Sequence, residues 1–292
     1  MRKLVTAMGA CLVVLTQAYA VDKPASAAPT PAATEQNAAA WNYDLFKKVV
    51  GESGRKVDID DKTFGAIQDN KKRALKTIEA YLQERFGQVD ERVMRAFELL
   101  PREYFQYHYA DNRPFASLAY EDKAKPWAIG YGSALSDYLG QAYMTQLARP
   151  TPNSVVLEIG TGSGYQISLL SRIVKKAYSI EIIEPLGTAV AKIFKPLGYT
   201  NIETRVGDGF FGWPEVKGGF DIIIVTCAAQ YVPPALFEQL KPGGRMVIPI
   251  GQPFKKGQVL YLYTKDENGK IHSRKDVGVY FIPMTGEAIK KI

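Results

Sequence analysis

The 292-residue sequence is poor in the residues that build metal centres and disulfide frameworks, with two cysteines, Cys11 and Cys227, and two histidines, His108 and His272. Two cysteines exclude a disulfide scaffold and a cysteine-rich zinc site. The histidines are far apart and have no cysteine or histidine neighbour, which argues against a histidine-built metal centre. No internal repeat of solenoid or propeller period is present. Strong charge imbalance is also missing: 37 Lys and Arg against 30 Asp and Glu give a formal +7, spread along the chain rather than clustered. Nothing in that distribution calls for a nucleic-acid or anionic-membrane partner. What is there, 46% hydrophobic and 23% charged residues, is the balance of a folded globular chain.

The first twenty residues differ from the rest: Arg2 and Lys3, an apolar run over 4–15, then Ala18-Tyr19-Ala20. The run is too short for a stable bilayer span, and the Ala-x-Ala pattern suits cleavage after Ala20, so 1–20 reads as a signal peptide and the chain as exported. The alternative is an uncleaved tether. Cleavage would remove Cys11 and two positive charges, taking the formal +7 to +5 and leaving Cys227 alone. Residues 21–40, mostly Ala, Pro, Thr and Lys, read as a flexible linker without a core. After cleavage no stable membrane insertion is expected.

The folded part starts near Trp41. Ile67, Leu75, Ile78, Leu82 and Phe86 recur at helical spacing, and Val93, Phe97 and Leu100 repeat the pattern before Pro101. From Ser154 the pattern changes to strands over 155–159, 177–182, 201–206, 220–225 and 245–250, interleaved with helices over 164–174, 185–194 and 234–240. Segments 259–264 and 277–283 read as a closing antiparallel pair. Such alternation predicts an α/β, doubly wound, mostly parallel sheet with an N-terminal helical extension. Residues 41–150 form the helical and substrate-side segment and 151–292 the ligand-binding core, one domain with 67–150. The run over 41–65 is expected to pack against the sheet.

The most informative stretch is "VLEIGTGSGYQ", which sets Glu158, Gly160, Thr161, Gly162, Ser163 and Gly164 between the first strand and the first helix. In doubly wound sheets ligands bind beyond the carboxyl ends of the strands, where strand order reverses, and glycines there let the backbone approach them. The spacing is G-x-G-x-G rather than the dinucleotide G-x-G-x-x-G, which disfavours a pyrophosphate cofactor. Glu181 ends the second strand, where a carboxylate can accept from both ribose hydroxyls. Asp208, followed by Gly209 at the end of the third strand, can reach an adenine amino group; Asp-Gly is also a common turn pair. The fourth strand ends in Thr226-Cys227-Ala228-Ala229, without the polar-Pro-Pro-aromatic tetrad of base-amino methylation. Cys227 reads as a small buried filler.

Together the glycine loop, Glu181, Asp208 and "LKPGGRMVIPIG" (240–251) resemble the class I S-adenosylmethionine-dependent methyltransferases with their Rossmann-like fold. Within them "LLPREYF" (99–105), "AYEDKA" (119–124), "IGYGSALS" (129–136), "VGDGFFGWPE" (206–215) and "YFIPMTGEA" (280–288) resemble the protein-L-isoaspartate O-methyltransferases. The resemblance covers roughly residues 67–288. It implies S-adenosyl-L-methionine as cofactor, held by Glu158, residues 160–164, Glu181, Asp208 and Gly209. It implies isoaspartyl-containing proteins or peptides as acceptors, and a monomer. The family's Gly-Gln-Thr-Ile-Ser pattern, with Pro one residue later, reads here Gly132-Ser133-Ala134-Leu135-Ser136, then Asp137 and Tyr138. Ser136 matches the last serine and becomes the candidate catalytic residue; Ala134 lacks a hydroxyl and Tyr138 replaces the proline. These departures lie at the substrate end and leave three readings open: an isoaspartyl methyltransferase, a methyltransferase for another carboxylate, and a non-catalytic exported protein that keeps the fold.

Overall fold

The computed structural model describes residues 41–252 and 257–288. The signal and linker expectations fall on residues outside these. Three helices open the described chain: α1 (Tyr43–Glu52), α2 (Asp61–Phe86) and α3 (Glu91–Leu99). Asn42, Asp60 and Asp90 each start one of them by accepting a backbone N–H of the first turn. Gly87, in the left-handed region, ends α2. Short strands β1 (Tyr107–His108) and β2 (Arg113–Pro114) pair, as do β3 (Trp127–Gly130) and β4 (Ser133–Leu135), before α4 (Tyr138–Ala148).

The sheet comprises β5 (Val155–Ile159), β6 (Lys176–Glu181), β7 (Ile202–Val206), β8 (Phe220–Val225), β9 (Leu240–Ile250), β10 (Gln258–Lys265) and β11 (Ile271–Val279). Their spatial order is β7-β6-β5-β8-β9-β10-β11. The first five are mutually parallel, and β10 is antiparallel to both neighbours. Helices α5 (Tyr165–Ser171), α6 (Glu184–Val190) and α7 (Pro234–Gln239) make the crossovers. The chain leaves β5 toward β6 on one side and returns to β8 on the other, so the order reverses at the β5/β8 crevice.

The apolar run of β8 shows why a parallel strand loses its alternation. Ile222 and Ile224 face a core shared with α2 to α6, while Ile223 and Val225 face a second core with Phe210, Trp213 and Leu236. Burying each such side chain contributes about 1.5–3 kcal/mol.

Several expected boundaries change. The last pair is antiparallel as expected, but its second strand is Ile271–Val279 rather than 277–283. The hairpin is set by Asp266, whose carboxylate accepts from the Asn268 and Lys270 N–H groups, with Gly269 at φ 82°. The strand expected over 245–250 begins at Leu240, because the Pro-Gly-Gly segment is a bulge within it and shifts its register on β8. The segment before Gly65 packs on α2 and on the turn Arg102–Phe105: Phe46 lies 5.6 Å from the Phe64 ring and Trp41 Nε1 donates to Glu103 at 2.8 Å. Arg55 donates to the Tyr104 carbonyl at 2.7 Å.

Candidate active site

At the β5/β8 reversal the loop 160–164 crosses the strand ends. Gly160 sits at φ 97°, its N–H donating to the Ile180 carbonyl at 2.9 Å. A Cβ there would lie 2.6 Å from Thr226 Oγ1, which itself donates to the Gly160 and Ile159 carbonyls. Gly162, at φ 52°, runs beneath β4, so that a Cβ would touch Ser133 and the Ala134 carbonyl. The β3–β4 hairpin therefore lies directly over the glycine loop.

This arrangement frames a cavity of about 1030 Å³. Of the sequence-identified residues, Ser136, Glu158, Gly160, Thr161, Gly162, Ser163, Glu181 and Gly209 line it. Gly164 and Asp208 are outside that wall. Gly164 (φ 80°) opens α5, and a Cβ on it would press on Phe194 and Val190, so the structure gives it a packing role. The Asp208 carboxylate accepts from the N–H groups of Phe210 at 2.9 Å and Glu287 at 2.8 Å, fastening the chain end beside the site.

Glu181 is 5% exposed, and its two oxygens accept from the Gly162 N–H at 2.8 Å and the Ile183 N–H at 3.1 Å. Burial raises its pKa, and these N–H groups oppose the rise. Glu158 is fully buried. Its Oε2 accepts from Ser179 Oγ, which also meets Thr161 Oγ1 at 2.7 Å, while Oε1 has no partner among the described residues. Burial drives the Glu158 carboxyl well above its ordinary value of 4.5, and nearby Glu181 adds to the rise. Burial likewise pushes the Cys227 thiol up, so on the cavity wall it is an apolar filler and not a nucleophile.

A carboxyl whose pKa is raised in the fold above its unfolded value makes stability fall as pH rises above 4.5 toward the native value, by up to about 1.4 kcal/mol per pH unit. Glu158→Gln is therefore expected to match the parent near pH 4 and to exceed it in melting temperature increasingly as pH rises above about 4.5. Parallel melting curves above that pH would place the proton elsewhere.

The other end of the cavity is built from residues around Ser136. Its carbonyl accepts from the guanidinium of Arg102 at 2.7 Å, and Arg102 also donates to Gln141 at 2.7 Å. Arg102 is 1% exposed, and it stacks 4.9 Å from the Tyr165 ring. Ser136 lines the cavity, and its hydroxyl makes no hydrogen bond to another described residue. Asp137 caps α4 through the Gly140 N–H at 2.8 Å. Sequence reasoning did not place three segments on the wall. Tyr81 and Arg85 come from α2, and Tyr143 with Met144 from α4. Residues 277–285 close the far side, tied by Ala228 N–H to the Ile282 carbonyl and Met284 N–H to the Ala228 carbonyl, both 2.8 Å.

The sequence profile of the protein-L-isoaspartate (D-aspartate) O-methyltransferases matches residues 70–289. The chain belongs to that family. It is 42% identical over 236 residues to protein-L-isoaspartate O-methyltransferase 2 of Syntrophobacter fumaroxidans, covering 80% of this chain and 92% of that one. It is 50% identical over 161 residues to the enzyme numbered 1 of Nitrosospira multiformis, covering 55% and 67%. A solved protein-L-isoaspartate O-methyltransferase superposes with a TM-score of 0.64 at 26% identity, over 74% of this chain and 66% of that one. A Plasmodium falciparum structure in complex with S-adenosyl-L-homocysteine shares the fold (TM-score 0.58, 22% identity, covering 73% and 98%).

This family site fits its cofactor: the glycine cradle leaves room that a side chain would fill, Glu181 presents a buried carboxylate, and Glu158 Oε1 is a buried carboxyl oxygen without a partner among the described residues. Residues 160–163, Glu158, Glu181 and Gly209 line this end of the cavity and would be the ones to hold S-adenosyl-L-methionine.

Proposed function

We propose that this chain methylates the carboxylate of L-isoaspartyl residues in damaged proteins, with S-adenosyl-L-methionine as cofactor. The observation that carries the reading is the single cavity joining the Gly160–Glu181 end to the Ser136 end beneath the β3–β4 hairpin. Bound there, the cofactor supplies an electrophilic methyl group. An acceptor carboxylate is ionised at neutral pH, so its attack needs no general base. In keeping with that, the described cavity wall carries neither histidine nor lysine. What the protein contributes is placement and exclusion of water. Ser136, its backbone held by Arg102, offers a free hydroxyl to orient the carboxylate, and the hairpin with residues 277–285 shields it. The Arg2–Ala20 pattern supports action after export.

The test is methyl transfer to an isoaspartyl peptide and its aspartyl twin. Transfer to the isoaspartyl form alone is expected; binding of cofactor with no transfer to either would assign the enzyme to another carboxylate, for which Ala134 and Asp137 on the wall would then account. Ser136→Ala is expected to lower turnover about tenfold, one hydrogen bond's worth, with cofactor affinity within about twofold. Full turnover would remove Ser136 from the acceptor's contacts.

A further inference from the structure

The cavity wall is acidic and aromatic, with one cation among its described residues. Asp137, Glu158 and Glu181 are its carboxylates, and Arg85 is that cation. Glu158 and Glu181 belong to the cofactor end, and Asp137 is engaged as the cap of α4. Arg85 stands in the last turn of α2, exposed, its guanidinium 5.3 Å from the centre of the Tyr81 ring. No carboxylate of a described residue pairs with it. Three other cations of the same helix are engaged: Lys72 pairs with Asp69 at 2.9 Å, Arg73 reaches Asp122 at 3.7 Å, and Lys71 donates to the Glu98 carbonyl at 2.7 Å; Lys62 and Lys76 lie off the cavity wall. An arginine in a helix's last turn also meets the helix dipole favourably, but that role is indifferent to which way the side chain faces, and this one faces the cavity.

Its footing is firm. The Tyr81 ring lies 6.2 Å from that of Tyr143 and the Phe86 ring 4.9 Å from it, which fastens the end of α2 to α4. Two more tyrosines of the wall, Tyr131 and Tyr280, are 44% and 65% exposed. Exposed tyrosines around one unpaired arginine make a surface suited to a peptide: rings to lie against, and a fork for one carboxylate.

We infer that Arg85 selects acceptors carrying a second carboxylate, the side chain of an Asp or Glu directly beside the residue to be methylated. An arginine fastened on the reacting carboxylate would draw off the negative charge that makes it nucleophilic, so the better partner is a neighbouring acid. Without that pairing Asp137 would repel an acidic peptide. This inference rests on the isoaspartyl reading above.

The experiment uses isoaspartyl peptides with Glu or Gln on either side of the isoaspartate, with the parent, Arg85→Ala, Arg85→Glu and Arg95→Ala. Arg95 pairs with Glu98 on α3 away from the cavity and controls for the loss of one charge. For the parent and Arg95→Ala, KM is expected to be about three- to fivefold lower for the Glu peptides, as for an exposed ion pair, and the advantage should fade at about 0.5 M salt. The Glu-to-Gln ratio should approach one in Arg85→Ala and invert in Arg85→Glu. Equal KM values for the parent, or a Glu preference that survives Arg85→Glu, would overturn the role of Arg85 while leaving the acceptor class intact. If no peptide of the set is methylated, the acceptor class falls and the role of Arg85 falls with it.

Discussion

Glu181→Ala is expected to weaken S-adenosyl-L-methionine binding about thirty- to a hundredfold in a calorimetric titration, the consequence of removing a charged acceptor worth about 2–3 kcal/mol. The size follows from how the carboxylate is held. It is 5% exposed at the carboxyl end of β6, and each oxygen already accepts one backbone N–H, from Gly162 and from Ile183. Those bonds fix its orientation before any ligand arrives and leave further lone pairs for hydroxyl donors. Truncation also strips the Gly162 N–H of its partner, so the loop that should lie closest to the ligand loses its tie to β6. Glu181→Gln is the sharper test, because an amide can present one oxygen but must turn its NH₂ toward the second backbone donor. Its loss is expected to approach that of the alanine variant rather than fall midway. Unchanged affinity in either variant would take Glu181 out of the cofactor's contacts.

How much of this site the sequence discloses depends on whether a local signal exists. The loop 160–164 is legible because close backbone approach requires glycine, and Glu181 because a strand of apolar residues ends on an acid. Strand β8 is read to the residue because both its faces are buried. Helix α4 escapes for the same reason acting in reverse: Gln141, Thr145 and Gln146 are buried alongside Ala142, Met144 and Leu147, so no polar stripe marks a helical period. Its one local signal is Asp137, a capping residue ahead of Tyr138. Arg85 and Tyr81 reach the cavity only through tertiary packing, and nothing in their own segment announces it; residues 280–284 belong to a motif of the family resemblance, but nothing in that motif by itself sets them on the wall. Asp208 has a second role that no local signal announces: each of its oxygens accepts one backbone N–H, from Phe210 and from Glu287, which fastens the chain end beside the site. The helices expected to run to 174 and 194 stop at Ser171 and Val190, where tighter turns take over before the next strand.

Gly160→Ala is expected to lower stability by about 3 kcal/mol, seen as a melting temperature about 6–12 °C lower, and to reduce cofactor affinity along with it. Two costs combine. At φ 97° any side chain is strained, and the new methyl would sit 2.6 Å from Thr226 Oγ1, which is fixed by donating to the Ile159 and Gly160 carbonyls. Gly54→Ala isolates the first cost, since Gly54 has φ 77° and open space around the missing Cβ; its melting temperature should drop about a third as far. The second cost is isolated by adding Thr226→Ala to Gly160→Ala. If the crowding across the β5/β8 crevice is what forbids a side chain, the double variant should be more stable than the sum of the two single losses predicts, by about 1 kcal/mol or more. Additive losses would put the whole penalty in the backbone of Gly160, and the crevice would then have room for a methyl group where the proposed cofactor site allows none.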